Sequence, residues 1–178
     1  MGQVTVVNET RQALEAQFAR VLAEHGVAIS RLAYSYEAAA SIREELVQEI
    51  SLAIWQALPH FRGECSERTF VFRIAHNRGL SHSWKRRLHQ PLEELEDSDQ
   101  AVDPRPHPDE RAAQTEQWAR LMAAVQSMAM THRQIIVLML EDFSYAEMGE
   151  VLGITENNVA VRVSRARKAL KCALGVKP

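Results

Sequence analysis

The residue types that most often carry chemistry are thinly spread in this chain. His25, His60, His76, His82, His89, His107 and His132 are scattered. His76 and His82, six apart, miss the three- or four-residue step that sets two ligands on one helix face. Cys65 and Cys172 form neither a short-spaced metal pair nor the disulfide framework of a small secreted domain. No glycine-rich phosphate loop and no nucleophile paired with a base is evident. The expectation is a protein without metal, cofactor or catalytic activity, its histidines solvated or in the core and its thiols reduced.

A different chemistry is concentrated in two places. Between Phe61 and Arg87 stand Arg62, Arg68, Arg73, Arg78, Lys85, Arg86 and Arg87 against only Glu64 and Glu67, interleaved with Phe61, Phe70, Phe72 and Trp84. Aromatic rings beside positive charge suit unpaired bases, which stack on the rings while the cations meet phosphate. Phe72 reads as a core residue, whereas Phe61, ahead of Arg62 and Gly63, falls where a loop is expected. The second concentration follows Thr155. Glu156, Asn157, Asn158, Val161, Arg162, Ser164, Arg165 and Lys168 share one helix face, and Arg167 and Lys171 extend its charge. A recognition helix enters the major groove by its N-terminal end. Thr155, Glu156, Asn157, Asn158, Val161 and Arg162 are therefore expected near base edges, with Arg165, Lys168 and later basic residues at phosphates. A solvated basic helix end that complements the helix dipole is the plainer reading of the same residues.

Helices must hold both concentrations. Leu14, Phe18, Val21, Leu22, Ile29, Leu32 and Tyr36 recur at helical spacing, as do Leu46, Val47, Ile50, Ile54 and Leu58, and no strict alternation competes. The chain reads as all-α. The pattern stops between Leu88 and Glu110, where Pro91, Pro104, Pro106 and Pro108 accompany Glu93, Glu94, Glu96, Asp97, Asp99, Asp103, Asp109 and Glu110. Such a stretch buries too little apolar surface to order itself. Two small helical domains joined by a flexible acidic linker are expected: a tail over 1–10, a first domain over 11–88, the linker over 89–110 and a second domain over 111–178. Acidic groups on a linker with a reach of roughly 25 Å either screen the basic faces beside it or merely keep the linker soluble and extended.

The second domain carries the marks of a helix-turn-helix. Thr131 to Gln134 and Ser144 to Glu147 both fit a capping box, so helices are expected to begin near each. The helix after Ser144 turns Ala146, Met148, Val151 and Leu152 inward and meets Gly153, which suits a helix end. Thr155 then caps a helix whose Val159, Val163, Ala166 and Leu170 form one apolar stripe. This succession is the helix-turn-helix pattern.

With these elements in view, three runs of the first domain resemble consecutive parts of region two of the extracytoplasmic-function sigma factors. They are Glu44-Glu45-Leu46-Val47-Gln48-Glu49 on to Trp55, Leu58-Pro59-His60-Phe61-Arg62-Gly63-Glu64, and Thr69-Phe70-Val71-Phe72-Arg73-Ile74-Ala75-His76-Asn77. Ser144 to Met148, Gly153 to Val159, and Arg162 on to Leu170 resemble region four. The likeness covers nearly everything except the first ten or so residues and the linker.

The resemblance implies an RNA polymerase sigma factor that binds core polymerase through the clamp coiled coil and the flap, opens promoter DNA at the minus-ten element and reads the minus-thirty-five element as duplex. It implies minus-ten contacts by Phe61, Arg62, Ser66, Thr69, Phe70, Arg73, His76, Asn77, Ser81, Lys85 and Arg86, and clamp contacts by Glu45, Gln48, Leu52 and Trp55. The last four also step by three, four and three along a helix face distinct from the core stripe, as a partner surface would; packing of Leu52 and Trp55 beneath the N-terminal helix is the alternative. Members of the family often have an anti-sigma factor. Ile42, Glu67, Ser81 and Ala160-Val161 depart from the family pattern, which bears on the promoters read more than on whether promoters are read.

Bulk properties constrain less. A net charge of -2 argues, taken alone, against a nucleic-acid binder, but it averages segments of opposite sign. The longest apolar run, Ile135 to Leu140, is too short to span a bilayer, and the N-terminus lacks a basic segment followed by an apolar core. A soluble, cytoplasmic protein without membrane insertion is expected. A free-standing helix-turn-helix regulator is the nearest rival, and it leaves the aromatic and basic segment of the first domain unexplained.

Overall fold

Seven α-helices make up the computed structural model, which describes residues 2–89 and 111–175. They are α1 (Gly2–Tyr36), α2 (Ala40–Ala57), α3 (Glu67–His89), α4 (Arg111–Gln126), α5 (Met130–Leu140), α6 (Tyr145–Leu152) and α7 (Glu156–Ala173), with a 3-10 turn at Leu58–His60 between α2 and α3. The acidic segment expected as a linker, and with it the expected screening, lies outside the described residues apart from His89, which ends α3.

The first helix corrects one expectation. Residues 2–10, expected as a tail, are continuous with α1. No proline or glycine interrupts the chain from Gln3 to His25, so nothing stops the helix from running back to Gly2. Its inward face is Val21, His25, Ile29, Leu32 and Tyr36, all buried, in steps of four, four, three and four. Against it lie Leu46, Ile50 and Ile54 of α2 and Val71, Phe72 and Ala75 of α3. The approach of α3 to α1 is close at Gly79, where a Cβ would fall 2.5 Å from the Tyr36 ring.

In the second half, α5 begins two residues earlier than the capping-box reading required. Ala129 is its N-cap and makes no side-chain cap, and Ala129 O accepts from His132 and Arg133 N–H at 2.8 and 3.1 Å. Gln134 does not reach back to a cap; it is buried instead. The box at Ser144 is present: its hydroxyl accepts from Glu147 N–H at 3.2 Å, and Glu147 Oε2 accepts from Ser144 N–H at 2.8 Å. Gly153 takes φ 65° at the end of α6, and Thr155 Oγ1 accepts from Asn158 N–H at the start of α7. Val159, Val163 and Ala166 are buried, completing the helix-turn-helix.

Helix α5 decides how the two halves sit. Gln134, Ile135, Ile136, Val137 and Leu138 are all buried, so this helix is covered on every side, which no single neighbour can do. One side meets α7 and the other meets α1 from the first half. Helices α3 and α6 also pack together. The result is one continuous apolar core running from Val21 through Phe72 and Phe143 to Ala166.

Candidate nucleic-acid interface

The aromatic and basic segment forms an open pocket at the start of α3. His60, Phe61, Arg62, Glu64, Cys65, Phe70 and Arg73 line a cavity of about 230 Å³. Its apolar wall is the pair Phe61 and Phe70, with ring centroids 4.8 Å apart. Phe61 leaves the 3-10 turn in extended conformation, and Gly63 takes φ 73°, a region that L side chains avoid. Ser66 then caps α3, accepting from Thr69 N–H at 3.0 Å and donating to Thr69 Oγ1 at 2.8 Å. Rings and guanidinium groups around an open cleft can stack a base and neutralise its phosphate.

Not every residue expected at the minus-ten element faces outward. Arg62, Ser66, Asn77, Ser81 and Lys85 are exposed, and Arg73 is partly exposed. Thr69 is buried and engaged by Ser66. Arg86 is half-buried and paired with the buried Glu37. His76 is 5% exposed, and its Nδ1 lies 2.5 Å from the Tyr36 hydroxyl. In this conformation Thr69 and His76 offer nothing to DNA. Burial, reinforced by the charge of Arg162, holds the His76 pKa down at about 4, so the ring is neutral near pH 7 and shares a single proton with the Tyr36 hydroxyl across Nδ1. Burial pushes the Tyr36 hydroxyl well above its ordinary range, partly offset by a hydrogen bond from Gln134.

Sequence reasoning left Trp84 off the list of contact residues, although it had marked the ring as one of the aromatics among the basic residues. Trp84 is 65% exposed, and Leu80 and Leu88 are exposed one turn to either side of it. The four-residue step was readable; what identified it as an outer rather than an inner stripe was the position of α1 and α2.

On α2, Glu45, Gln48 and Leu52 are exposed, Leu52 at 57%. Trp55 is half-buried, its ring edge-on to Phe18 of α1 at 5.2 Å. The stripe therefore divides: three residues face outward, and the fourth partly packs under the N-terminal helix as the alternative reading held.

On α7, Thr155, Glu156, Asn157, Asn158, Val161, Arg165 and Lys168 are exposed. Arg162 is half-buried, near enough to His76 of α3 to lower its pKa.

One group of metal-ligating type occurs among the described residues: Glu24, His25 and Glu67 have donor atoms within 4.8 Å of one another. A side chain already engages both carboxylates, since Arg20 bonds Glu67 at 2.6 Å and Glu24 at 3.4 Å. His25 instead stacks edge-on against Phe72. No described helix is long and apolar enough to cross a membrane.

Residues 21–88 match the family described as Sigma-70 region 2, and residues 118–170 match Sigma-70, region 4. The RNA polymerase sigma factor CnrH of Cupriavidus metallidurans is 29% identical over 164 residues, 88% of this chain and 86% of the relative. The ECF RNA polymerase sigma factor SigE of Mycolicibacterium smegmatis is 28% identical over 162 residues, 90% of this chain and 62% of the relative. Among solved structures, CnrH in complex with the cytosolic domain of CnrY is similar with a TM-score of 0.65 at 24% identity, covering 94% of this chain and 96% of that one. The sigma factor RpoE in complex with the anti-sigma factor NepR from Bartonella quintana is similar with a TM-score of 0.71 at 24% identity, covering 91% and 99%.

Proposed function

The chain belongs to the extracytoplasmic-function subfamily of sigma-70 RNA polymerase sigma factors, and we propose how its residues divide that work. Residues 11–88 bind core polymerase and the minus-ten element, and 111–178 bind the minus-thirty-five element and the polymerase flap. Glu45, Gln48, Leu52 and Trp55 meet the polymerase clamp. Phe61, Phe70, Arg62 and Arg73 take an unpaired base and its phosphate, with Ser66, Asn77, Ser81 and Lys85 along the same strand. Thr155, Glu156, Asn157, Asn158, Val161 and Arg162 read duplex bases, and Arg165 and Lys168 hold its backbone. Thr69, His76 and Arg86 join the minus-ten contacts only after a rearrangement that exposes them.

The observation that carries this reading is the presence, on one chain, of an open aromatic and cationic pocket and a capped helix-turn-helix with a polar outer face. The first suits single-stranded DNA and the second duplex, and only strand opening during initiation needs both. Such a protein adds no catalysis of its own and works beside the polymerase in the cytoplasm. The solved relatives were captured with the cytosolic domain of CnrY and with the anti-sigma factor NepR, and a regulator of that kind is expected here.

Run-off transcription with purified core polymerase on a promoter library tests the assignment. Transcripts that depend on this protein, from promoters sharing two spaced elements, are expected. Duplex binding without core binding and without transcripts would instead favour the free-standing helix-turn-helix regulator.

A further inference from the structure

A carboxylate stands among the cations of the open pocket. Glu64 lines the cavity together with His60, Arg62, Cys65 and Arg73. Gly63, at φ 73°, turns the chain between Arg62 and Glu64, so that groups of opposite charge reach the cavity from either side of one turn. Neither guanidinium neutralises the carboxylate. Arg73 directs Nη2 toward Cys65 Sγ, 4.0 Å away, and among the described residues no hydrogen bond or ion pair reaches Glu64. Glu67, three residues on, is by contrast bonded to Arg20 at 2.6 Å.

An unpaired carboxylate in such a place costs affinity for DNA. The strand that enters carries a negative charge at every phosphate, and like charges repel across the cleft. A hydrogen-bond donor on the guest offsets that cost. A base whose face lies on the Phe61 and Phe70 rings turns its edge toward the polar loop residues. Cytosine, adenine and guanine carry an exocyclic amino donor on that edge, whereas thymine carries carbonyl oxygens that flank its one ring N–H. A bond from an amino group to a carboxylate is charge-assisted and stronger than a neutral one. A carbonyl set against the carboxylate leaves two acceptors facing each other without a donor.

We propose that Glu64 sets which base the pocket accepts: one bearing an exocyclic amino group, with thymine turned away. This rests on the reading of the pocket as a site for an unpaired base, and adds to it the class of base. Arg62 and Arg73 supply an attraction common to every sequence, and the carboxylate converts part of it into selection. Specificity is a difference between guests, to which an element that repels the wrong one contributes as well as one that attracts the right one.

The test uses the full-length protein with core polymerase, bound to promoter forks whose unpaired minus-ten strand is randomised and then sequenced. At one position the wild type should disfavour thymine by about tenfold against an amino-bearing base. Glu64→Gln, whose amide can also donate to a carbonyl, should bring that ratio below about threefold and leave the other positions alone. Phe61→Ala should lose the preference at the same position, which ties it to this pocket. Replacing the favoured base there by its analogue without the amino group (2-pyrimidinone for cytosine, purine for adenine, hypoxanthine for guanine) should weaken the wild type about as much as thymine does, and Glu64→Gln hardly at all. Equal acceptance of thymine at every unpaired position in the wild type would overturn the proposal. So would an unchanged ratio in Glu64→Gln, or a gain in affinity spread evenly over all four bases, which would leave Glu64 a repelling charge and nothing more. Forks that fail to bind in a polymerase-dependent way, whatever their bases, would instead sink the sigma reading and this assignment with it.

Discussion

Glu67, at a position where the family resemblance leads one to expect an aromatic or aliphatic residue, is bonded to Arg20 of α1 at 2.6 Å. The departure is thus accounted for by a local ion pair that ties the first turn of α3 to α1. The hydrogen bond and charge of Arg20 hold the Glu67 carboxyl below its ordinary value of 4.5. A carboxylate whose pKa is lower folded than unfolded stabilises the fold above the unfolded value, and that support is lost as pH falls through the folded one. Arg20→Ala should therefore lower the urea midpoint more at pH 7 than at pH 3. An equal shift at both values would show that the pair contributes nothing ionic.

His76 has the same sign for a different reason. Buried and neutral with a pKa of about 4, it binds its proton more weakly folded than unfolded, so stability should fall as pH drops from about 6.5 toward 4 and then level off. The loss attached to this one group is about 3 kcal/mol over that interval. Equilibrium unfolding of the wild type and of His76→Gln, compared across the interval, isolates it. A variant as acid-sensitive as the wild type would place the dependence elsewhere.

On α2 the divided stripe predicts divided effects. Leu52→Ala should weaken core-polymerase binding with no change in thermal midpoint, because the side chain is mostly exposed. Trp55→Ala should reduce both, losing the edge-on contact with Phe18, worth about 0.5 to 1.5 kcal/mol beyond its area. Co-sedimentation with core polymerase and calorimetry separate the two. Full affinity in the Leu52 variant would remove this face from the polymerase contact.

Phe61→Ala should impair strand opening more than initial binding, since its ring forms one wall of the pocket with Phe70. Permanganate reactivity at the minus-ten region reads the opening directly. A pattern matching the unaltered protein would leave the pocket without a role in melting.

Arg162→Ala should cost about 1 to 3 kcal/mol at one base pair of the minus-thirty-five element and relax the preference there. Lys171→Ala should weaken all sequences alike through phosphate. Selection from a randomised duplex with the whole initiation complex tests both.

Periodicity and capping chemistry were local enough to be read along the chain. The stripes on α1, α2 and α7, the box at Ser144 and the turn at Gly153 each depend on residues within a few positions, and helical hydrogen bonds close over the same range. The loop at Phe61 and the polar outer face of α7 were legible for the same reason. Where such signals were ambiguous, local reading slipped: Thr131 looked like a cap, but Ala129 starts the helix, and the absence of breakers let α1 begin at Gly2. The run from Ile135 to Leu140 reads only as too short to span a bilayer, and it is the structure that shows α5 covered on two sides. The run itself could not say that the second cover is α1, a hundred residues away. Burial is a property of pairs of surfaces, so the inward turning of Thr69 and His76 and the pairing of Arg86 with Glu37 were decided only when the helices packed, and the seat of Phe143 on Phe72 only when the two halves met.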